Sequence, residues 1–142
     1  LSSLKGRVWG CRFRLTQKEN KLRTVTSKDG TPIAFERSGE GPAIILVVGA
    51  FNDRATGAPL ARLLERHFTV FNYDRRARGE SGDSAPYAIE REIEDLDALI
   101  AQAGGSACVF GYSSGAILSL RAAAHGLPHF TARVIRTTAD RS

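Results

Sequence analysis

The chain has 142 residues, 42% of them hydrophobic and 25% charged, a composition that excludes collagen-like, low-complexity and disordered classes. The length suits one domain of roughly 100–200 residues. No apolar run approaches the roughly 18–20 residues of a transmembrane helix, and no positive-then-apolar order marks a signal peptide. A cytoplasmic protein with no membrane partner is therefore expected. Two cysteines, Cys11 and Cys108, are too few for a disulfide framework or a four-ligand zinc site. The chain has no methionine, not even at position 1, which reads as a fragment or a non-standard start.

The net charge of +5 hints at nucleic acid, but its distribution argues against that partner. Residues 1–23 carry seven basic side chains and one acid, and residues 129–142 carry three and one. Between them, residues 24–128 hold ten basic and thirteen acidic residues, so the body of the chain is mildly acidic. No C2H2 spacing and no aromatic RNP-like segment accompanies the basic ends. The expected organisation is an atypical, disordered basic leader over 1–23, a folded domain over 24–128 and an atypical tail over 129–142.

In chain order, Thr24 to Lys28 reads as a short strand and Asp29-Gly30 as a hairpin turn, since glycine accepts positive φ. Thr31 to Arg37 alternates as a second strand. Ala43 to Val48 is an unbroken apolar run, typical of a strand covered on both faces. Gly49 to Gly57 reads as a loop, Ala58 to His67 as a helix, and Phe68 to Tyr73 as another buried strand. A charged loop runs from Asp74 to Pro86. Ala88 to Ala103 follows with helical spacing of Ile89, Ile93, Leu96, Leu99 and Ile100, and Gly104-Gly105 ends it. Ala107 to Phe110 is a third short apolar strand, and Ser113 to Ala124 a helix that begins almost at once. The alternation predicts an α/β fold: a mostly parallel sheet with flanking helices and an N-terminal antiparallel hairpin.

Gly111-Tyr112-Ser113-Ser114-Gly115 matches G-x-S-x-G between a strand and a helix. That setting is what a nucleophile elbow needs. Gly111 and Gly115 let strand and helix approach closely, and the helix N-terminus offers free N–H groups. Ser113 is the candidate nucleophile, and the Ser114 N–H a candidate oxyanion donor. The plainer reading makes Ser113 a helix N-cap.

With that motif, two others complete a resemblance to the α/β-hydrolase superfamily over residues ~24–128, on its esterase, haloperoxidase and aminopeptidase side. Val47-Val48-Gly49-Ala50-Phe51 resembles the strand that often ends in His-Gly-x, with Val48 in place of the histidine. Tyr73 to Ser81 resembles the D-x-R-G-x-G-x-S turn, with Ala77 where glycine is usual. The resemblance implies a serine hydrolase acting on a small-molecule acyl substrate. Ala50 then supplies the second oxyanion N–H, with Phe51 the lesser candidate, and Phe51 and Tyr112 are candidate pocket residues. It implies no cofactor. At Ala77 a positive φ costs roughly 1 kcal/mol. The charge-dense turn of Asp74, Arg75, Arg76 and Arg78 is read as solvated or turn-stabilising in preference to substrate-contacting.

In this superfamily the serine is followed by an acid and then a histidine. After Ser113 the chain offers His125, His129 and Asp140. His125 lies twelve residues along the same helix, about 18 Å from the serine, and His67 ends an earlier helix. Neither they nor His129 is a credible base. After Pro128 only Val134-Ile135 reads as strand-like. The expectation is an incomplete α/β-hydrolase fold in a truncated or frame-shifted product, weak or inactive as it stands. The alternative is a non-catalytic small-molecule binding or interaction protein on the same fold. A nucleotide-binding protein lacks its G-x-G-x-x-G or G-x-x-x-x-G-K-[ST] sequence. No metal site is expected, Cys108 is read as an inert buried thiol, and nothing in the sequence bears on oligomeric state.

Overall fold

The alternating pattern folds into a six-stranded sheet with three helices, seen in a computed structural model that describes residues 20–127 and 130–134. The elements are β1 (Leu22–Thr26), β2 (Pro32–Ser38), β3 (Ala43–Val47), α1 (Arg54–Leu64), β4 (Thr69–Tyr73), α2 (Ile89–Gln102), β5 (Ala107–Gly111), α3 (Ser114–Ala124) and β6 (Phe130–Val134). The strand order is β1-β2-β4-β3-β5-β6. β1 and β2 pair antiparallel, and β2 joins β4 antiparallel. The β4-β3-β5-β6 block is parallel throughout. The fold is therefore α/β with an antiparallel hairpin at one edge.

The apolar run of β3 divides between two cores. Ile45 and Val47 join Phe35, Phe71 and Tyr73 under Ile93, Leu96, Leu99 and Ile100 of α2 and Leu118 of α3. Leu46, with half-buried Ile44, faces the opposite way, onto Ala61, Leu60 and Leu64 of α1. Successive strand residues point to opposite faces, so a strand covered on both sides is apolar at consecutive positions, as β3 is. Phe35 and Phe71 stack with ring centroids 5.7 Å apart.

Several bounds differ from the sequence reading. Gly30 takes the expected positive φ of 89°, but the strands stop at Thr26 and restart at Pro32, leaving a five-residue loop. Asp29 within it accepts from the Thr31 N–H at 3.1 Å and pairs with Arg76 at 2.9 Å. α1 begins at Arg54, four residues before the expected start, despite Gly57 and Pro59. Asp53 accepts from the Ala55 N–H at 3.0 Å, and Asp74 accepts from the Arg54 N–H at 2.7 Å. The second of these caps is twenty residues away and invisible to local pattern. β6 occupies a segment expected to be strand-like only at Val134-Ile135. Its backbone is recruited by parallel pairing to β5, from Ala107↔Phe130 to Gly111↔Val134. Cys108 is free and only half-buried, not the buried thiol expected.

The turn after β4 is the largest departure. Asp74, Arg75 and Arg76 are not solvated: they are 0%, 4% and 1% exposed. Arg76 binds Asp95 of α2 at 2.7 and 2.8 Å and Asp29 of the hairpin. Asp74 takes the Arg54 guanidinium and the Glu80 N–H. The turn-stabilising reading holds, and the solvated one does not. Ala77 sits at φ 64°, the left-handed region that disfavours a Cβ.

No helix among the described residues is long and apolar enough to cross a membrane. Residues 1–19, with Cys11 and Trp9, lie outside the described residues, as do His129 and Asp140.

Two outcomes follow from the turn. Ala77→Gly raises stability by up to about 1 kcal/mol, read from urea midpoints, because relief of the positive φ outweighs the added freedom of the unfolded chain. The Arg76 guanidinium, and secondarily Thr31, hold the Asp29 carboxyl well below the usual carboxylate range. Its folded pKa lies below its unfolded one, so the pair stabilises the fold above about pH 4 and that contribution is lost as pH falls through the folded value. Asp29→Asn is therefore less stable than the parent at pH 7, and the gap narrows as the pH is lowered below about 4.

Candidate active site

The parallel strands β3 and β5 lie side by side, but their connections leave in opposite directions, to β4 through α1 and to β6 through α3. The crevice at such a switch point, beyond the carboxyl ends of the strands, is where open α/β sheets bind ligands. Val47 is paired with Gly111, and the Tyr112 N–H continues the ladder to the Val47 carbonyl at 3.4 Å. The loop after β3 and the turn after β5 are thus brought together at Gly49 and Ser113. A Cβ built on Gly49 would lie 3.6 Å from the Ser113 Cβ and 3.8 Å from its Oγ.

Ser113 stands between β5 and α3 with φ 55° and ψ −130°. It is one of two described non-glycine residues at positive φ, the other being Ala77. It occupies the N-cap position, yet its side chain makes no cap hydrogen bond. The carbonyl of Ser113 instead accepts from the Ala116 N–H at 3.0 Å, so the turn closes through the backbone. Ser113 is exposed and its Oγ is left uncommitted. The strain of a residue in this region is of order 1–3 kcal/mol.

The glycines around the serine have steric causes. A Cβ on Gly111 would come within 2.5 Å of the Gly115 carbonyl oxygen and 2.6 Å of Ser119 Oγ. One on Gly115 would collide with the carbonyl oxygens of Val47 and Val48, the second at 2.8 Å. Strand, turn and helix are packed backbone to backbone. The first N–H of α3, on Ser114, has no acceptor among the described residues, and neither has the Ala50 N–H.

Two side-chain bridges join the loop to the elbow, and neither was evident in the sequence. Asn52 Nδ2 donates to the Tyr112 hydroxyl at 3.1 Å. The loop itself is closed by the Asn52 N–H on the Gly49 carbonyl at 3.1 Å. On the inner side, Arg75 donates to the Val48 carbonyl and to Ser114 Oγ. Tyr112 is half-buried, whereas Phe51 is fully exposed beside the loop. Of the concave sites, one of about 210 Å³ lies between Glu36, Arg54 and Glu80, and one of about 230 Å³ between Ile89, Arg121 and His125. Neither includes Ser113. His67 and His125 are exposed at the far ends of α1 and α3, remote from the serine as expected. No cluster of three or more His, Cys, Asp or Glu able to hold a metal occurs among the described residues.

The sequence profile of the alpha/beta hydrolase family matches residues 44–139. The chain belongs to the alpha/beta hydrolase family. Among the relatives of this hydrolase-family chain is an uncharacterized hydrolase, YraK, of Bacillus subtilis, 35% identical over 95 residues. Another is an N-formylmaleamate deformylase of Pseudomonas putida, 36% identical over 93 residues. These matches cover 64% and 63% of the chain and 35% of either relative. Among solved structures, an alpha/beta hydrolase from Sphaerobacter thermophilus superposes with a TM-score of 0.77 at 66% identity, over 79% of the chain and 44% of that protein. The hydrolase-family chain thus spans about a third of its curated relatives and under half of that structure.

Relieving the elbow strain gives a direct check on the geometry. Ser113→Gly raises stability by about 1 kcal/mol in urea denaturation, the opposite of what loss of an ordinary serine N-cap does.

Proposed function

We propose that this chain carries the nucleophile and oxyanion hole of an acyl-transferring serine hydrolase acting on small-molecule esters or amides. The observation that supports this reading is Ser113 itself: a serine held at positive φ on a helix N-terminus, exposed, with its Oγ unused by the cap. A serine placed there for structure would spend its oxygen on the helix.

In the proposed reaction Ser113 Oγ attacks the substrate carbonyl carbon and the carbonyl oxygen becomes an oxyanion. The Ser114 N–H, reinforced by the α3 N-terminus, and the Ala50 N–H donate to it. The tetrahedral intermediate collapses with loss of the alcohol or amine, and water releases the acyl group. Tyr112 and Phe51 are proposed to flank the substrate. The relative named as a deformylase supports amides as well as esters as the substrate class. The base that removes the Ser113 proton, and the carboxylate that orients it, belong in this reading to sequence outside the described residues.

Without a base the elbow and oxyanion hole alone retain weak catalysis. The 142-residue chain is expected to hydrolyse p-nitrophenyl acetate barely above the Ser113→Ala background. A fluorophosphonate is expected to leave a single adduct on Ser113, seen by intact-mass and peptide mass spectrometry and absent in Ser113→Ala. With the base absent the labelling is slow and is read under prolonged excess of reagent; labelling elsewhere in place of Ser113 sinks the assignment.

A binding role on the same fold is favoured by one observation: no histidine or carboxylate among the described residues bonds to Ser113. That role requires small-molecule affinity that survives Ser113→Ala unchanged.

A further inference from the structure

One guanidinium spans the two backbone segments that flank the proposed oxyanion hole. Arg75 Nη1 donates to the Val48 carbonyl at 3.3 Å and to Ser114 Oγ at 3.1 Å. Val48 lies two residues before Ala50, and Ser114 carries the other proposed donor. The opposite edge of the guanidinium is anchored: Nε and Nη2 bind Glu92 Oε2 at 2.8 and 2.5 Å. The other Glu92 oxygen accepts from the Tyr87 hydroxyl at 3.1 Å. Arg75 is 4% exposed and Glu92 1%.

We propose that Arg75 is a positioning residue for the oxyanion hole, setting the separation of the Ala50 and Ser114 N–H groups without touching substrate. The inference rests on the reading of Ser113 as nucleophile. Its warrant is stoichiometric. The ion pair with Glu92 uses Nε and Nη2 and is enough to fasten α2 to the turn after β4. The two Nη1 protons are not needed for that, and each goes to one side of the hole. Only a planar fork does both tasks at once, because a lysine ammonium concentrates its donors at one point. Donor placement matters at this scale, since a shift of about 1 Å costs on the order of a hundredfold in rate.

The test uses the 142-residue chain and three variants. Ser114→Ala keeps the backbone donor and removes one Arg75 acceptor. Arg75→Lys keeps the charge beside Glu92 and gives up the fork. Arg75→Met with Glu92→Leu removes both buried charges together, so no lone ion is left to unfold the protein. Two readouts are taken on folded samples: the amide 1H–15N shifts and hydrogen exchange of Ala50 and Ser114, and the rate at which a fluorophosphonate modifies Ser113. In that modification the serine oxygen bonds to phosphorus, fluoride departs with its bonding pair, and the serine proton passes to solvent.

The expected result is displaced, faster-exchanging Ala50 and Ser114 amides in all three variants, with phosphonylation slowed about tenfold or more in both Arg75 variants. Unmoved amides in the Arg75 variants overturn the proposal. So does an unchanged labelling rate where Ser113→Ala abolishes labelling. If the parent chain forms a fluorophosphonate adduct elsewhere and none on Ser113, the nucleophile reading fails; without any adduct, the amide signature alone decides the role of Arg75.

Discussion

Three consecutive charged residues, Asp74, Arg75 and Arg76, leave the end of β4 and go inward. Each takes partners from elsewhere in the chain. Asp74 caps α1 and holds Arg54. Arg75 holds Glu92 of α2 and reaches Ser114 of α3. Arg76 holds Asp95 of α2 and Asp29 of the hairpin. Burying an ion costs several kcal/mol unless its partners are well placed, and removing one partner of such a pair costs about 3–5 kcal/mol. The turn therefore acts as a geometric specification: the hairpin, all three helices and the ends of two strands must arrive together for its charges to be satisfied.

That specification bears on the candidate site because the turn lies on the same side of the sheet, at the carboxyl ends of the parallel strands. Glu92 and Asp95 lie one turn apart on α2, so two arginines in sequence meet two acids at i, i+3. The pairing places α2 against the sheet and leaves the Arg75 fork directed at β3 and α3. Strain is concentrated in the same region. The two described non-glycine residues at positive φ are Ala77, exposed just after the buried Asp74–Arg76, and Ser113, in the elbow. Such positions persist only where the surroundings over-determine them. For Ser113 the surroundings are backbone carbonyls packed against Gly111 and Gly115. For Ala77 they are the ion pairs and the bond from its N–H to the Gly82 carbonyl at 2.8 Å.

The parts of the fold that were legible in the sequence are those set by short-range pattern. The uninterrupted Ala43–Val48 run marked a strand covered on both faces, and the Ile93, Leu96, Leu99, Ile100 spacing marked the buried face of α2. Ser113 was legible through the G-x-S-x-G motif between a strand and a helix; the steric demand at Gly111 is local, from Gly115 and Ser119, whereas that at Gly115 comes from the Val47 and Val48 carbonyls. Burial of the Asp74–Arg76 segment is not legible locally, because charge in a loop is usually solvated and the acids that pair with its arginines are contributed by α2 and the hairpin. The start of α1 was missed because its second cap comes from Asp74. Asn52 is one polar residue in a loop as far as the sequence goes, since its partner Tyr112 is sixty residues away.

From the sequence come the strands and helices between β1 and α3 to within a few residues, their alternation into a parallel sheet, and a serine on a strand–helix turn, but not β6. Hydrophobic periodicity and the turn chemistry of a five-residue motif act over a few residues, so they can be read without a structure. Tertiary structure alone decided that Gly49 faces Ser113, that the Ser113 oxygen is not used as a cap, and that Arg75 ties the two loops to each other. Those facts depend on the parallel register of β3 with β5 and on buried charges finding partners from distant segments. Local sequence carries neither.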